Sequence, residues 1–220
     1  MEESISSLKI MSQESPSITY FIATTGRPSL ENTVRSLYGQ FGWGIDKIKI
    51  FVDGPQPKNL DFMGVVSEMY NDRDPGSLEI VHLDENLGFW GHGIRNKYQT
   101  TFATDYVHNM DDDDAYVDGH IPLIRNKLSQ NFGKVLICKF KSSGNRVVWQ
   151  NKIVKFGEIG TPSGLIPNRP EVFGEWGYEY GGDFKFYSEV QNHIGKENIV
   201  FTDLLIVNTR PHDTTWNTPY

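Results

Sequence analysis

The sequence predicts an α/β domain built on a largely parallel sheet, and three observations predict it. Apolar runs rich in β-branched and aromatic residues recur at ITYFIA (18–23), IKIFV (48–52), LEIVHL (78–83) and YVHNM (106–110). Between them the apolar residues recur at helical period. The small polar and acidic residues gather just after the runs, where an open α/β sheet binds its ligands. Alternating strand and helix periods mark strands joined by crossover helices, which pairs them in parallel.

Each element follows in order. After the first run, Leu30, Val34, Leu37 and Tyr38 form a helical stripe; Met63, Val66, Met69 and Tyr70 form a second, and Ile94, Tyr98 and Phe102 a third. From Val135 the rhythm changes: VLICKFK and RVVWQNKIVKF flank SSGN, a hairpin signal. A segment rich in glycine, proline and aromatics covers 157–182, a helix is expected over about 184–194, and IVFTDLLIVN reads as a last strand. No repeat, low-complexity block or linker divides the chain. The expected organisation is a loose polar tail over 1–16 and a single domain over 17–220, with halves at 17–134 and 135–220.

Composition excludes some classes of function. With 220 residues, 38% hydrophobic and 13% aromatic, the chain can bury a sizeable core. A formal net charge of −7 argues against a duplex nucleic-acid binder and against docking on anionic lipid. The one cysteine, Cys138, lies in an apolar run and makes no internal disulfide, which suits a reducing compartment. The opening residues lack the pattern of a signal peptide and no apolar stretch reaches membrane-spanning length, so a soluble, cytoplasmic protein is expected.

The strand tips carry the chemistry: TTGR (24–27), Asp53 with Gly54, DENLG (84–88) and the four carboxylates Asp111 to Asp114. In an extended segment side chains alternate, so Asp111 and Asp113 project to one side, roughly 6 to 7 Å apart, and Asp112 to the other. Ionised carboxylates that close raise each other's pKa unless a cation sits near them. A hard divalent ion, Mn²⁺ or Mg²⁺, supplies that charge and keeps positions open for phosphate oxygens and water. The run therefore points to a metal that bridges to a diphosphate. The plain alternative is a solvated acidic turn, with Asp114 or Asp118 capping the helix that carries Ile121, Ile124 and Leu128. A buried strand leading into the run, beside three other polar strand tips, favours the metal.

Taken in order, ATTGRP after the first run, VDG after the second, ENLGFWGHGIRN opening a helix, and a strand entering an Asp-x-Asp resemble the GT-A fold nucleotide-sugar glycosyltransferases, particularly the inverting family 2-like members. The likeness covers Ile18 to His212, and IATTGRPSLENTVRSLYGQF also resembles glycosyltransferase domains of chlorella viruses. The resemblance implies a Rossmann-like, mostly parallel central sheet flanked by helices, with a smaller mixed β region on the acceptor side. It makes 17–134 the nucleotide-sugar-binding half and 135–220 the acceptor-binding half. Thr24, Thr25 and Arg27 would line the nucleotide pocket, and Asp53 would accept a hydrogen bond from N3 of uracil, which carries a proton where N3 of cytosine does not. Asp111 would face the ribose with Asp112 beside it among the donor contacts. Arg95 would lie against the base or its phosphates, although the interval from Asn86 to Arg95 is longer than the common family pattern.

The same resemblance makes Asp113 a metal ligand, completed by His212 after a Pro-fixed turn, with Arg210 near the diphosphate. It makes Asp183, at the head of the 184–194 helix, the general base, and Trp176 and Tyr178 of EVFGEWGYEYGGDFKFY acceptor-facing aromatics. Each has a plain counterpart: Thr25 and Asp53 as turn residues, Arg27 and Arg95 as solvated side chains, Asp183 as a helix cap, Trp176 as core and His212 as a surface loop histidine. The implied activity is metal-dependent inverting transfer of one sugar from a UDP-sugar to a hydroxyl of a glycan or glycoprotein, in the host cytoplasm if the chain is viral. The family's processive QxxRW signature is missing from the chain.

Two other classes compete. A sugar-phosphate nucleotidyltransferase also uses an acidic pair on an α/β sheet, but no Gly-rich, lysine-bearing loop follows the first strand. A non-catalytic carbohydrate-binding module needs the aromatics of the second half but neither Asp53 nor Asp113.

Overall fold

Strand β1 (Ile18–Thr24) is buried along its whole length, with β2 (Lys47–Val52) and β4 (Tyr106–Asp111) paired to it on either side, both parallel. Strand β3 (Leu78–His82) extends the parallel set beyond β2. The computed structural model describes residues 15–55, 60–142 and 144–211. Helix α1 (Ser29–Tyr38) buries Leu30, Val34 and Leu37, α2 (Gly64–Arg73) buries Val66 and Tyr70, and α3 (His92–Tyr98) buries Ile94. Helices this short are marginal alone, so their apolar faces hold them to the sheet.

The second half contributes β5 (Asp114–Tyr116), α4 (His120–Gln130), β6 (Val135–Lys141), β7 (Val147–Val148), β8 (Gly164–Pro167), α5 (Gly182–Ile194) and β9 (Ile199–Thr209). Its strands join the same sheet, whose order is β3-β2-β1-β4-β8-β6-β9-β5, with β7 paired to β6. The sheet is parallel through its first four strands and mixed beyond them, because β8 lies antiparallel to both β4 and β6. One buried apolar cluster runs from Ile18 to Val207 and draws on both halves. The fold is therefore α/β with a mixed, curled sheet flanked by helices.

Two local expectations change, and one plain alternative falls away. The strand after the hairpin turn is only Val147–Val148, because the chain then turns inward to bury Trp149 against Phe201. Strand β8 falls inside the segment read as irregular; bounded by glycine and proline, it carries no period-2 signal. Gly164 is required there, since a Cβ would lie 2.6 Å from the Tyr187 ring. The acidic run is not a helix cap: Asp114 opens β5, and the N-cap of α4 is Gly119 at φ 74° with no side-chain cap. Among the described residues no helix is long and apolar enough to cross a membrane.

The long β9 matters most for position. It runs parallel to β6, slips register past Ile137 and then pairs antiparallel with β5, setting Thr209 opposite Asp114. The next residue, Arg210, donates its N–H to the Asp113 carbonyl at 3.0 Å. A residue almost one hundred positions away in sequence thus meets the acidic run.

Candidate active site

The carboxyl ends of β1, β2 and β4 align: Thr24 pairs with Val52, the residue before Asp53, and Ala23 pairs with Asp111. Beyond them opens a cleft of about 360 Å³, lined by Thr24, Thr25, Arg27, Asp53, Asp111, Asp112 and Asp113 together with Asn86, the 88–92 turn, Ile94, Thr161 and Arg210. This volume is within the range of small-molecule sites. Seven sequence-predicted positions from three separate segments share this lining.

The acidic run does not stay extended. Asp111 ends β4, Asp112 and Asp113 form a turn, and Asp114 begins β5, so the predicted alternation fails after Asp111. The chain has to leave the edge of β4 and reach β9, and the turn that takes it there aims Asp112 into the cleft with its neighbours. Asp112 is buried; it accepts from the Thr24 hydroxyl and from Arg27, whose Nε lies 3.2 Å away. Arg27 Nη1 also donates to Asp113 Oδ2 at 2.9 Å, and Arg210 Nε reaches the same oxygen at 3.2 Å. Burial, with the charge of Asp111, raises the Asp113 pKa, and Arg27 and Arg210 offset part of that rise. Asp114 is fully buried and its pKa stands well above the usual carboxylate range, from desolvation first and then from Asp111 and Asp113. Its Oδ2 has no hydrogen-bond partner among the described residues.

Arg95 departs from its expected place. It is fully buried under the cleft, where it donates to Asp111 Oδ1 at 2.6 Å, to the Met110 carbonyl at 3.1 Å and to the Trp90 carbonyl at 3.1 Å. Its guanidinium lies 5.0 Å from the centre of the Trp176 ring. It therefore holds Asp111 and the 88–91 turn in place from below and does not line the cleft. Trp176 is likewise corrected from acceptor contact to core: it is fully buried and stacks on Phe186 at 4.3 Å. Burying both faces of an indole in the core satisfies more apolar area than a solvent-facing site offers. Tyr178, by contrast, is half exposed beside Phe89.

Asp53 is tied to backbone. The Leu87 N–H donates to its Oδ1 at 2.7 Å and the Gly88 N–H to its Oδ2 at 2.9 Å, which fastens the loop after β3 to the end of β2. Each oxygen keeps one lone pair, enough for a ligand N–H as well.

Asp183 stands in the first turn of α5, accepting from the Phe184 N–H at 2.8 Å. Its pKa is pushed up to about 6, by burial first and also by the charge of Asp111, against the Phe184 hydrogen bond. The neighbouring Gly182 packs against His92, a lining residue: a Cβ there would be 2.8 Å from the imidazole. Asp183 therefore follows a residue packed on the cleft wall and is close enough to Asp111 to feel its charge, without itself lining the cleft. His212 lies outside the described residues.

Sequence reasoning passed over His92, Phe89, Trp90 and Thr161. Burial and then Arg95 lower the pKa of His92, and its Nδ1 donates to the Gly177 carbonyl at 2.6 Å, which leaves Nε2 as an acceptor in the neutral ring. Phe89 and Trp90 both have φ of 54°, between Gly88 at 58° and Gly91 at 84°. A bulky residue in that region costs on the order of 1–3 kcal/mol, and such strain clusters at ligand sites. Two aromatics between two glycines in FWG, after a polar strand tip, was the readable signal.

No protein-family model and no curated protein matches the chain. Among solved structures it is similar to S. aureus TarS: to residues 1–349, with a TM-score of 0.67 at 15% identity over 88% of this chain and 60% of that one. The complex of the same TarS fragment with UDP gives a TM-score of 0.63 at 13% identity over 88% and 60%. Its complex with UDP-GlcNAc gives 0.64 at 14% identity over 93% and 62%. The chain therefore spans about 60% of the length of these TarS fragments. At this identity the likeness is one of fold, GT-A-like. The likeness to chlorella virus domains finds no support among these matches.

Proposed function

We propose that the chain transfers a sugar from a UDP-sugar to a hydroxyl of a glycan or glycoprotein, with inversion at the anomeric carbon. The observation that carries this reading is the cleft at the strand tips, where Thr24, Thr25 and Asp53 stand beside an acidic turn held by Arg27 and Arg210, with the buried carboxylate of Asp183 close enough to feel the charge of Asp111. The fold likeness to TarS, crystallised with UDP and with UDP-GlcNAc, supports the donor class.

On this reading Asp53, Thr24 and Thr25 hold the nucleoside end, and Asp111, positioned by Arg95, takes the ribose. Arg27 and Arg210 stand where the diphosphate leaves and balance its charge. Asp183 takes the proton of the acceptor hydroxyl as that oxygen attacks the anomeric carbon from the face opposite the diphosphate. The anomeric carbon to diphosphate bond breaks as the new glycosidic bond forms, and UDP departs. Phe89 and Trp90 form the cleft lip, with Tyr178 packed on Phe89.

A divalent cation, Mn²⁺ or Mg²⁺, fits the donor set. Four carboxylates, Asp111 to Asp114, face the guanidinium groups of Arg27, Arg95 and Arg210, and a diphosphate adds further negative charge. The buried Oδ2 of Asp114, without a hydrogen-bond partner among the described residues, leaves an acceptor open beside Asp113. Asp113 would hold the ion, with His212 as its second protein ligand; among the described residues no three His, Cys, Asp or Glu side chains converge to hold one alone. When bound, the ion neutralises charge that develops on the leaving diphosphate. The buried Cys138 suits work in the cytoplasm.

The test is a screen of nucleotide sugars with Mn²⁺, reading release of free UDP with and without candidate acceptors. UDP release that rises with one acceptor is expected. Binding of UDP without release under any donor and acceptor would leave a binding protein, and pyrophosphate release from UTP and a sugar phosphate would mark a nucleotidyltransferase.

A further inference from the structure

We infer that the acceptor is a neutral oligosaccharide, and that its distal sugars occupy a second recess at the head of α5, built by Phe156 and Tyr180. The inference rests on the transferase reading and adds the acceptor's class. Among the described residues six large aromatic side chains are strongly exposed, and five of them, Phe89, Trp90, Phe156, Tyr178 and Tyr180, flank the head of α5. Solvent-facing aromatics scattered singly need no explanation; a row of them does.

The row is ordered by contacts. Phe89 and Trp90 stand on the lip of the cleft, and Phe89 packs on Tyr178 with ring centres 4.6 Å apart. Tyr178 and Tyr180 ride on a loop closed on itself, with the Gly177 N–H donating to Gly182 O at 3.2 Å and the Gly182 N–H to Glu179 O at 3.0 Å. Tyr180 meets Phe156 at 6.2 Å, and Phe156 meets Phe184 at 6.0 Å. Gly181 is what lets Phe156 lie there, because a Cβ would come within 2.4 Å of its ring. These residues enclose a recess of about 400 Å³ whose remaining wall is Glu179, Lys185, Ser188 and Glu189. Gly181 and Phe184 of the recess flank Gly182 and Asp183 in sequence, and Gly182 packs on His92 of the cleft wall, so the proposed base stands between recess and cleft.

The chemistry of the wall selects the occupant. A pyranose offers an apolar face of C–H groups to an aromatic ring and hydroxyl hydrogens at its edge to carboxylates. Aromatics interleaved with Glu179, Ser188 and Glu189 match both. A protein-binding patch is depleted of glutamate and lysine at its core. Lys185 is engaged by Glu175 at 2.5 Å and Glu189 at 3.8 Å, so the rim is acidic and disfavours sulfated or sialylated chains.

The experiment uses the full chain, its Phe156→Ala/Tyr180→Ala variant and the single Tyr180→Ala variant on a glycan array of neutral and anionic glycans from one to six units. Calorimetric UDP binding with Mn²⁺ is measured alongside. Tyr180 is 87% exposed, so the single variant keeps the test valid if the double variant is unstable. Neutral oligosaccharides should bind at least tenfold more tightly than monosaccharides; the variants should lose that gain and keep parental UDP affinity. A blank array, equal binding of monosaccharides, binding confined to anionic glycans, unchanged binding by the variants, or a wild-type dimer that the double variant dissolves would each overturn the inference. Loss of UDP binding by the wild-type chain instead removes the transferase reading, and the array then judges the sugar site by itself.

Discussion

At Asp183 one side chain carries two opposed demands. Its pKa is raised from 3.8 to about 6, so its ionised form costs stability that is absent below about pH 4 and fully present above about pH 6. Asp183→Asn removes that cost while its amide oxygen can still accept from Phe184. The variant should gain on the order of 1–3 kcal/mol at pH 7.5 and nothing at pH 3.5, read by denaturant unfolding. Transfer should fall about a hundredfold to ten-thousandfold with UDP binding intact. In the wild type, kcat/KM should drop about tenfold per pH unit below 6. Parental turnover in the Asn variant would return Asp183 to a helix cap. Asp53 makes a different residue-scale prediction: Asp53→Ala leaves two backbone N–H groups unpartnered, so it should cost about 1–3 kcal/mol of stability and also weaken UDP binding. An undisturbed melting temperature with weakened UDP would show that the carboxylate serves the base alone.

Among the elements, α3 is the one whose seating shapes the cleft. Glycine inside a helix ordinarily costs about 1 kcal/mol relative to alanine, so Gly93→Ala should stabilise on propensity alone. Position 93 reverses the sign: a Cβ would fall 2.3 Å from the Leu87 carbonyl oxygen and 2.9 Å from Leu87 Cβ. Leu87 is tied to Asp53, so the loop cannot retreat without releasing that carboxylate. Overpacking of this kind costs about 1–3 kcal/mol. Gly93→Ala should therefore lower the melting temperature and weaken UDP together, and a raised melting temperature with parental UDP affinity would refute the argument. The 88–91 turn that opens this helix was readable as an interruption, but not as two outward aromatics, because left-handed backbone at Phe89 and Trp90 runs against their own preferences.

Over the whole molecule, charge sets the behaviour. On the proposed reading, a chain of net charge −7 with four clustered carboxylates should repel a diphosphate until a cation inverts the local field. UDP at one hundred times its Kd should stabilise the fold by about 2.7 kcal/mol in Mn²⁺, a clear shift in melting temperature. The shift should vanish in EDTA, and an equal one there would mean that Arg27 and Arg210 alone suffice for the diphosphate. The curled sheet makes this arrangement possible, since only the return of β9 beside β5 sets Arg210 against Asp113.

What the sequence by itself determined is the parallel half of the sheet and its acidic edge. Strands β1, β2 and β4 are buried along most of their length and the helices between carry apolar residues at helical period, so period and burial are both local and can be read in a window. The four carboxylates and the Gly-Gly-Asp helix entry were legible for the same reason: charge density and turn chemistry need no partner to be seen. Only the tertiary structure decided the rest. Trp176 looks like a sugar platform in sequence, yet Phe186 and Arg95 bury it; Arg95 reads as a donor contact or a solvated helix face, yet it carries Asp111 from beneath. Asp112 enters the cleft because the chain turns towards β9, and Phe156 joins Tyr180 across more than twenty residues because Gly181 leaves room for its ring. Whether an aromatic or an arginine faces water depends on which distant segment covers it, and that contact leaves no period in the chain.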